Sequence, residues 1–153
     1  MPVLSKKAKY SLKAMTFLAG FSPDRNVHAA EIATAQNIPK KFLDAILCDL
    51  RNAGLINSKM GTGGGYALAH AASEIKIGEV VRAIDGPPAP SPCASRTRYH
   101  RCDDCLNEAT CVVRLVMQNA QKALSRVLDN CTLAQIRQRS DFGTEAKITD
   151  ISA

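Results

Sequence analysis

Four cysteines crowd the run Cys93–Cys111, CASRTRYHRCDDCLNEATC, spaced Cys93-x8-Cys102-x2-Cys105-x5-Cys111. His100 and the arginines Arg96, Arg98 and Arg101 lie between them. Thiolates are soft ligands suited to iron–sulfur clusters and to zinc. Cysteines this dense, in a chain with no export signal, point to a metal or redox centre rather than to structural disulfides. A structural zinc site commonly pairs two short Cys-x-x-Cys knuckles, and only one is present. A thioredoxin-like dithiol requires a βαβ context, which the flanking sequence lacks. Spacing alone favours an iron–sulfur cluster and leaves zinc and thiol redox chemistry open. Cys48 and Cys131 fall outside the run and read as packing residues.

The elements around this run must position it. At 153 residues with 46% hydrophobic content the chain can build a core and is not disordered. The apolar stretch from Met15 to Phe21 is too short to span a bilayer, and neither a signal peptide nor a transmembrane segment is evident. The cytoplasm is the expected compartment. Net charge is +6, concentrated in residues 1–60, where nine Lys/Arg face four Asp/Glu. A basic N-terminal half suits a polyanion such as DNA.

Ser5 can cap a first helix to about Gly20, with Ala8, Leu12, Met15 and Ala19 as its buried stripe. A second short helix is expected over 28–36, broken at Asn37 and Ile38. Pro39 suits the first position of a third helix, which Gly54 closes after Asn52. Phe42, Leu43, Ile46, Leu47 and Leu50 form its core stripe. Two short helices joined by a tight turn read as a helix-turn-helix whose second member enters the major groove N-terminus first. Leu55–Lys59 and Tyr66–Leu68 then read as strands around a glycine-rich tip, Met60–Gly65, which makes a β-hairpin wing. A nucleotide-binding loop is excluded there, because no Gly-Lys-Ser/Thr and no helix follow the glycines.

A helix over about 76–85 and a stiff proline-rich connector, Gly86–Pro92, deliver the chain to Cys93. After Cys111 a helix to Asp129 carries an apolar stripe, Val112, Val116, Ala120, Ala123 and Val127, flanked by Val113, Leu124 and Leu128. It is too apolar to stand alone and calls for a helix partner. Thr132 and Gln135 form a capping box for a last helix to about Arg139. The expected organisation is a winged helix-turn-helix domain over 1–85, a cysteine-rich sensor loop over 86–110, a dimerisation helix and final short helix over 111–140, and a flexible tail over 141–153. The fold class is mainly α with a small β-hairpin wing.

The order of these parts resembles the Rrf-type family of bacterial winged-helix transcription regulators. The resemblance runs through LSKKAKYSL, AAEIATAQNIPKKFLDAILCDLRNAGLI, SKMGTGGGYALA, IKIGEVVRAIDGP, the cysteine loop and a long helix ending at TLAQI. Its most specific pieces are the wing glycines and Leu-Arg-x-x-Gly-Leu at Leu50–Leu55. It implies a homodimer with crossed long helices, reading a palindromic operator in double-stranded DNA. It also implies an iron–sulfur cluster, 2Fe–2S in preference to 4Fe–4S, held by Cys93, Cys105 and Cys111.

Three positions depart from the family. Members with a histidine three residues after the last cysteine find Arg114 here. Members using an aspartate on the first helix of the second subunit find Lys9. The usual wing arginine is Met60. Cys102 is the expected fourth ligand, with His100 as the alternative. Candidate DNA contacts are Lys6, Lys9, His28, Lys40, Lys41 and Asp44, with Lys59, Thr62, Gly63, Gly64 and Tyr66 on the wing.

The function expected is a repressor whose operator affinity follows the redox state, nitric oxide or iron sensed by the cluster. The alternatives are a regulator with structural zinc or a thiol switch, and a redox or cluster-carrier protein using the cysteines directly. An enzyme is not expected, because His28, His70 and His100 are scattered without a partner motif.

Overall fold

The computed structural model describes residues 4–141, so the expected tail beyond Asp141 lies outside the described residues. The elements in order are α1 Lys6–Leu18, α2 Ala29–Gln36, α3 Lys40–Asn52, β1 Ile56–Lys59, β2 Gly65–Leu68, α4 Ile77–Asp85, a 3-10 turn Pro92–Ala94, α5 Val112–Asp129 and α6 Leu133–Asp141. They form a winged helix-turn-helix with a long helix beside it.

Ser5 caps α1 as expected, its hydroxyl accepting from the Ala8 amide at 3.0 Å. The buried stripe is broader than the sequence suggested. Ala8, Ser11, Ala14, Met15 and Leu18 face inward, while Leu12 and Ala19 are half-buried. The reason is that α1 packs against α2, α3, α4 and α6, so more than one face is covered. Ser11 hydrogen-bonds the Lys7 carbonyl at 2.8 Å, which satisfies its buried hydroxyl.

Asn37 ends α2 in the left-handed conformation, with φ 50°. Pro39 is the N-cap of α3 rather than its first residue. At the other end Gly54 (φ 75°) and Leu55 donate to the Arg51 and Leu50 carbonyls, both at 3.0 Å, the paired bonds of a Schellman cap. Leu43, Ile46, Leu47 and Leu50 are buried, but Phe42 is exposed. Phe42 sits about 100° around the helix from Leu43, and its ring meets Tyr10 edge-on at 5.8 Å instead of entering the core.

The two strands pair antiparallel in the register Ile56↔Leu68 to Lys59↔Gly65. Val27, just ahead of α2, bridges Tyr66 through two backbone bonds of 2.9 and 2.8 Å. This close approach depends on Gly65, at φ 130°, where a Cβ would stand 2.6 Å from the Val27 carbonyl oxygen. Gly65→Ala is therefore expected to detach the wing from α2 and leave the helical core folded. Strain of about 1–3 kcal/mol at such a site, if passed in full to binding, corresponds to a loss in duplex affinity of about fivefold or more. Fluorescence anisotropy against far-UV circular dichroism checks both halves.

Ile75, Ile77, Val80 and Val81 seat α4 in the same core as Met15, Ile46 and Leu47. Backbone bonds from Ile77 to Cys131 (2.8 Å) and from Leu133 to Ile75 (2.9 Å) tie the start of α6 to the start of α4. The expected capping box forms, with Thr132 and Gln135 exchanging bonds of 2.9 and 3.2 Å. An ion pair of 2.8 Å between Arg82 and Asp129 fixes the far end of α5 on α4. Along α5 no residue is fully buried, and Val112 is 71% and Val116 51% exposed.

Candidate nucleic-acid interface and cysteine loop

The N-terminal half of α3 presents Lys40, Lys41, Asp44 and Ala45 to solvent. His28, at the head of α2, and Lys59, Thr62 and Gly63 of the wing are also exposed. Tyr66 is half-buried by its bridge to Val27. Gly64 is buried, and a Cβ there would stand 2.5 Å from the Lys59 carbonyl oxygen, so it closes the wing turn. Met60 projects from the wing, 94% exposed.

The lysines of α1 divide into two pairs. Lys7 pairs with Asp49 of α3, and Lys13 donates to the Gln36 carbonyl of α2. These two hold the helices together. Lys6 and Lys9 are exposed, with the Lys6 ammonium 5.7 Å from the Tyr10 ring. Arg51, which sequence reasoning did not select as a DNA contact, shares a cleft of about 420 Å³ with His28, Ser58, Lys59, Gly64 and Tyr66. The Leu-Arg-x-x-Gly-Leu motif contains it and was the available signal.

The proline-rich connector leads to the 3-10 turn, which buries Cys93 and Ala94. The Cys93 sulfur lies 3.3 Å from the Ser91 hydroxyl. Cys102 is exposed and Cys105 half-buried, and all the cysteines are free thiols. A hydrogen bond with Cys93 raises the Cys102 thiol above its ordinary pKa, helped by desolvation and by the nearby Cys93, Asp104 and Cys105 groups. Cys111 is the N-cap of α5, its sulfur accepting from the Arg114 amide at 3.4 Å. His100 donates its backbone amide to the Pro92 carbonyl at 3.2 Å.

Glu108 gathers the loop. It pairs with Arg114 at 3.3 Å and Arg101 at 3.6 Å, and it accepts from the Tyr99 hydroxyl. That bond, with desolvation and the Glu108 charge, raises the Tyr99 pKa. Nε of Arg114 is buried without a hydrogen-bond partner.

The donor set fits a thiophilic metal or cluster in kind. Four free thiols lie in one loop, and Cys111 accepts from the backbone amide of Arg114, whose Nε has no partner. Among the described residues no three His, Cys, Asp or Glu side chains are gathered about one point. Holding a metal on these thiols therefore requires the loop to rearrange on binding.

This loop is joined to the helix-turn-helix. Arg98 donates to the Asp85 carbonyl at the end of α4 at 3.1 Å. The Asp85 carboxylate accepts both the backbone amide of Ser5, at 2.8 Å, and its hydroxyl. Ser5 caps α1, and the Lys7–Asp49 pair joins α1 to α3. Ser5, Asp85 and Arg98 border a cavity of about 220 Å³ walled by Pro87, Pro88 and Pro92. None of this relay was visible in the sequence, because its partners are up to 80 residues apart.

An exposed recognition helix with a glycine-tipped wing braced on the preceding helix defines a winged-helix DNA-binding transcription regulator. The chain belongs to the Rrf2 family, whose model, described as "Iron-dependent Transcriptional regulator", matches residues 4–139. It is 43% identical over 134 residues to a putative HTH-type transcriptional regulator rrf2-like of Rhodobacter capsulatus, covering 86% of this chain and 89% of that one. It is 32% identical to the HTH-type transcriptional regulator IscR of Photobacterium profundum, over 87% of this chain and 74% of the relative. Among solved structures, T. potens IscR superposes with a TM-score of 0.73 at 28% identity, covering 94% of this chain and 92% of that one. CymR, the global cysteine regulator of B. subtilis, superposes with a TM-score of 0.72 at 28% identity, covering 90% and 98%. The family and these relatives are transcription regulators rather than enzymes. No helix among the described residues is long and apolar enough to cross a membrane.

Proposed function

We propose that this regulator is a homodimeric, cytoplasmic repressor whose cysteine loop senses redox state, nitric oxide or iron through an iron–sulfur cluster. The observation that carries this reading is the Arg98–Asp85–Ser5 linkage, which runs from the sensor loop to the cap of α1. Cys93, Cys105 and Cys111 would hold the cluster, 2Fe–2S in preference to 4Fe–4S, with Cys102 as the fourth ligand and His100 as its alternative. A bound cluster supplies electron-transfer and nitric-oxide-reactive chemistry, which changes the charge and shape of its ligand set.

The chain's own residues do the rest. Closing the turn 102–111 on Cys93 moves Arg98, which holds the end of α4. Asp85 passes that shift to Ser5, and the Lys7–Asp49 pair carries it to the recognition helix. In a palindromic operator, Lys40, Lys41 and Asp44 meet base edges and phosphates while the wing residues Lys59, Thr62 and Gly63 track the backbone. Lys6 and Lys9 extend the basic face, and α5 supplies the dimer contact.

Anaerobic isolation with iron, sulfide and zinc assays tests the reading. Equal iron and sulfide support it, and a protein without either overturns the cluster. Stoichiometric zinc would assign a structural metal instead. The specific observation favouring a second reading, a thiol switch, is that all six cysteines are free thiols, four of them in one loop. The similarity to the cysteine regulator CymR also supports it.

The relay gives its own prediction. Asp85→Ala is expected to lower unfolding stability by about 1 kcal/mol, the worth of its hydrogen bonds to Ser5. It is also expected to bring the affinities of the signalled and unsignalled states within a factor of about two, against the 5–150-fold typical of such coupling. Urea unfolding and anisotropy titrations on one preparation measure both.

A further inference from the structure

We propose that the cleft at the root of the wing is a seat for one backbone phosphate of duplex DNA, with Arg51 as its principal cation. This rests on the DNA-binding reading of the winged helix and extends it to a residue and a geometry not assigned above.

Three separate elements converge on the cleft. The head of α2 brings His28 and Ala29, the last turn of α3 brings Arg51, and the wing brings Ser58, Lys59 and Tyr66. The lining offers a guanidinium, an ammonium, an imidazole and two hydroxyls, and contains no carboxylate. That composition suits a phosphate, which a guanidinium meets in bidentate fashion and an ammonium meets as a point charge.

The cations are available. Lys7, Arg25, Arg82, Arg101 and Arg114 are in ion pairs, but among the described residues Arg51, Lys59 and His28 are in none. Among the described residues the Arg51 guanidinium hydrogen-bonds only the Cys48 sulfur, at 4.0 Å. The nearest acid of α2, Glu31, is held by Arg25 at 2.9 Å. No side chain caps α2 either, so its leading amides add to the positive field.

The seat is also built in advance. The paired Val27–Tyr66 bonds and a 3.2 Å bond from the Asn26 amide nitrogen to the Gly63 carbonyl lock the wing onto the head of α2. Gly65 permits that approach and lets no other residue stand there without displacing Val27. Binding then orders only the Arg51 and Lys59 side chains. Met60 also borders the cleft and is 94% exposed, so it leaves the cations open to a ligand.

The test is equilibrium binding of the full chain to a duplex selected from a random pool and to a scrambled duplex of equal length, between about 50 and about 200 mM salt. Arg51→Ala is expected to weaken binding about fivefold to tenfold on both duplexes and to lower the log–log salt slope by about one. Arg51→Lys keeps the slope, and Arg51→Ala with Lys59→Gln lowers it by about two. Arg51 is exposed, and unfolding curves that match the wild type establish that each variant is folded. An unchanged slope for Arg51→Ala overturns the seat while leaving DNA binding intact. A loss confined to the selected duplex overturns it as well, because that marks base readout. A wild-type chain that binds neither duplex overturns the DNA reading and the seat together.

Discussion

Aspartates in place of Val112 and Val116 on α5 are expected to leave the chain monomeric and to lower operator affinity by about 10²–10⁴-fold. The size follows from valency, because a dimer on two half-sites gains an effective concentration that a monomer lacks. The position follows from exposure. Val112, Val113, Leu115 and Val116 stand in solvent on the first turns of an 18-residue helix, whose opposite end is pinned to α4 by Arg82 and Asp129. Exposed apolar side chains this concentrated mark a contact surface, and the proposed second subunit covers it. Since neither valine contributes to the core of the single chain, the monomer should remain folded and melt below the parent dimer only by what association adds through mass action. Sedimentation velocity, with anisotropy titrations alongside, gives both numbers. A variant that remains dimeric would place the dimer contact elsewhere.

The second large effect is expected at Cys111. Cys111→Ala removes a proposed ligand together with the sulfur that accepts from the Arg114 amide. Metal retention should be lost, and the ratio of operator affinities between signalled and unsignalled protein should fall to about one, from the 5–150-fold range of ordinary coupling. The affinity of the metal-free state should change little, because α3 and the wing are untouched. Cys48→Ala serves as the control. Cys48 lies on α3, where Arg51 and Asn52 approach its sulfur at 4.0 and 3.7 Å, and it is outside the proposed ligand set. A Cys111→Ala protein that still responds fully would remove Cys111 from the sensor.

Much of the architecture was legible because its signals are local. The glycines at 61 and 63–65 announced the wing, and Ser5, Asn37, Gly54 and the Thr132–Gln135 pair marked helix ends through their own backbone chemistry. Periodicity identified Leu43, Ile46, Leu47 and Leu50 but overcounted with Phe42, since a helical stripe read by eye is wider than the face that the neighbouring helices cover. It undercounted on α1 for the converse reason: that helix is covered on several sides.

The candidate site was legible as a set of donors and not as an arrangement. The spacing of Cys93, Cys102, Cys105 and Cys111 names candidate ligands. It does not reveal that Cys93 is buried in a 3-10 turn with the Ser91 hydroxyl against its sulfur, or that Cys111 caps α5. Those facts depend on how the connector packs. Glu108 had no signal at all, because its partners Tyr99, Arg101 and Arg114 become a cluster only after the loop folds. Arg51 was in plain view inside a family motif, yet its relation to Lys59 and His28 exists only once the wing folds back on α2.

The most direct test is the operator affinity of a single anaerobic preparation, determined with the proposed metal bound and again after chelation under reducing conditions. The expected result is a change of fivefold or more that Asp85→Ala abolishes while duplex binding persists. Equal affinity in the two states, with metal bound in the first and gone in the second, would contradict the claim that the cysteine loop governs the recognition helix.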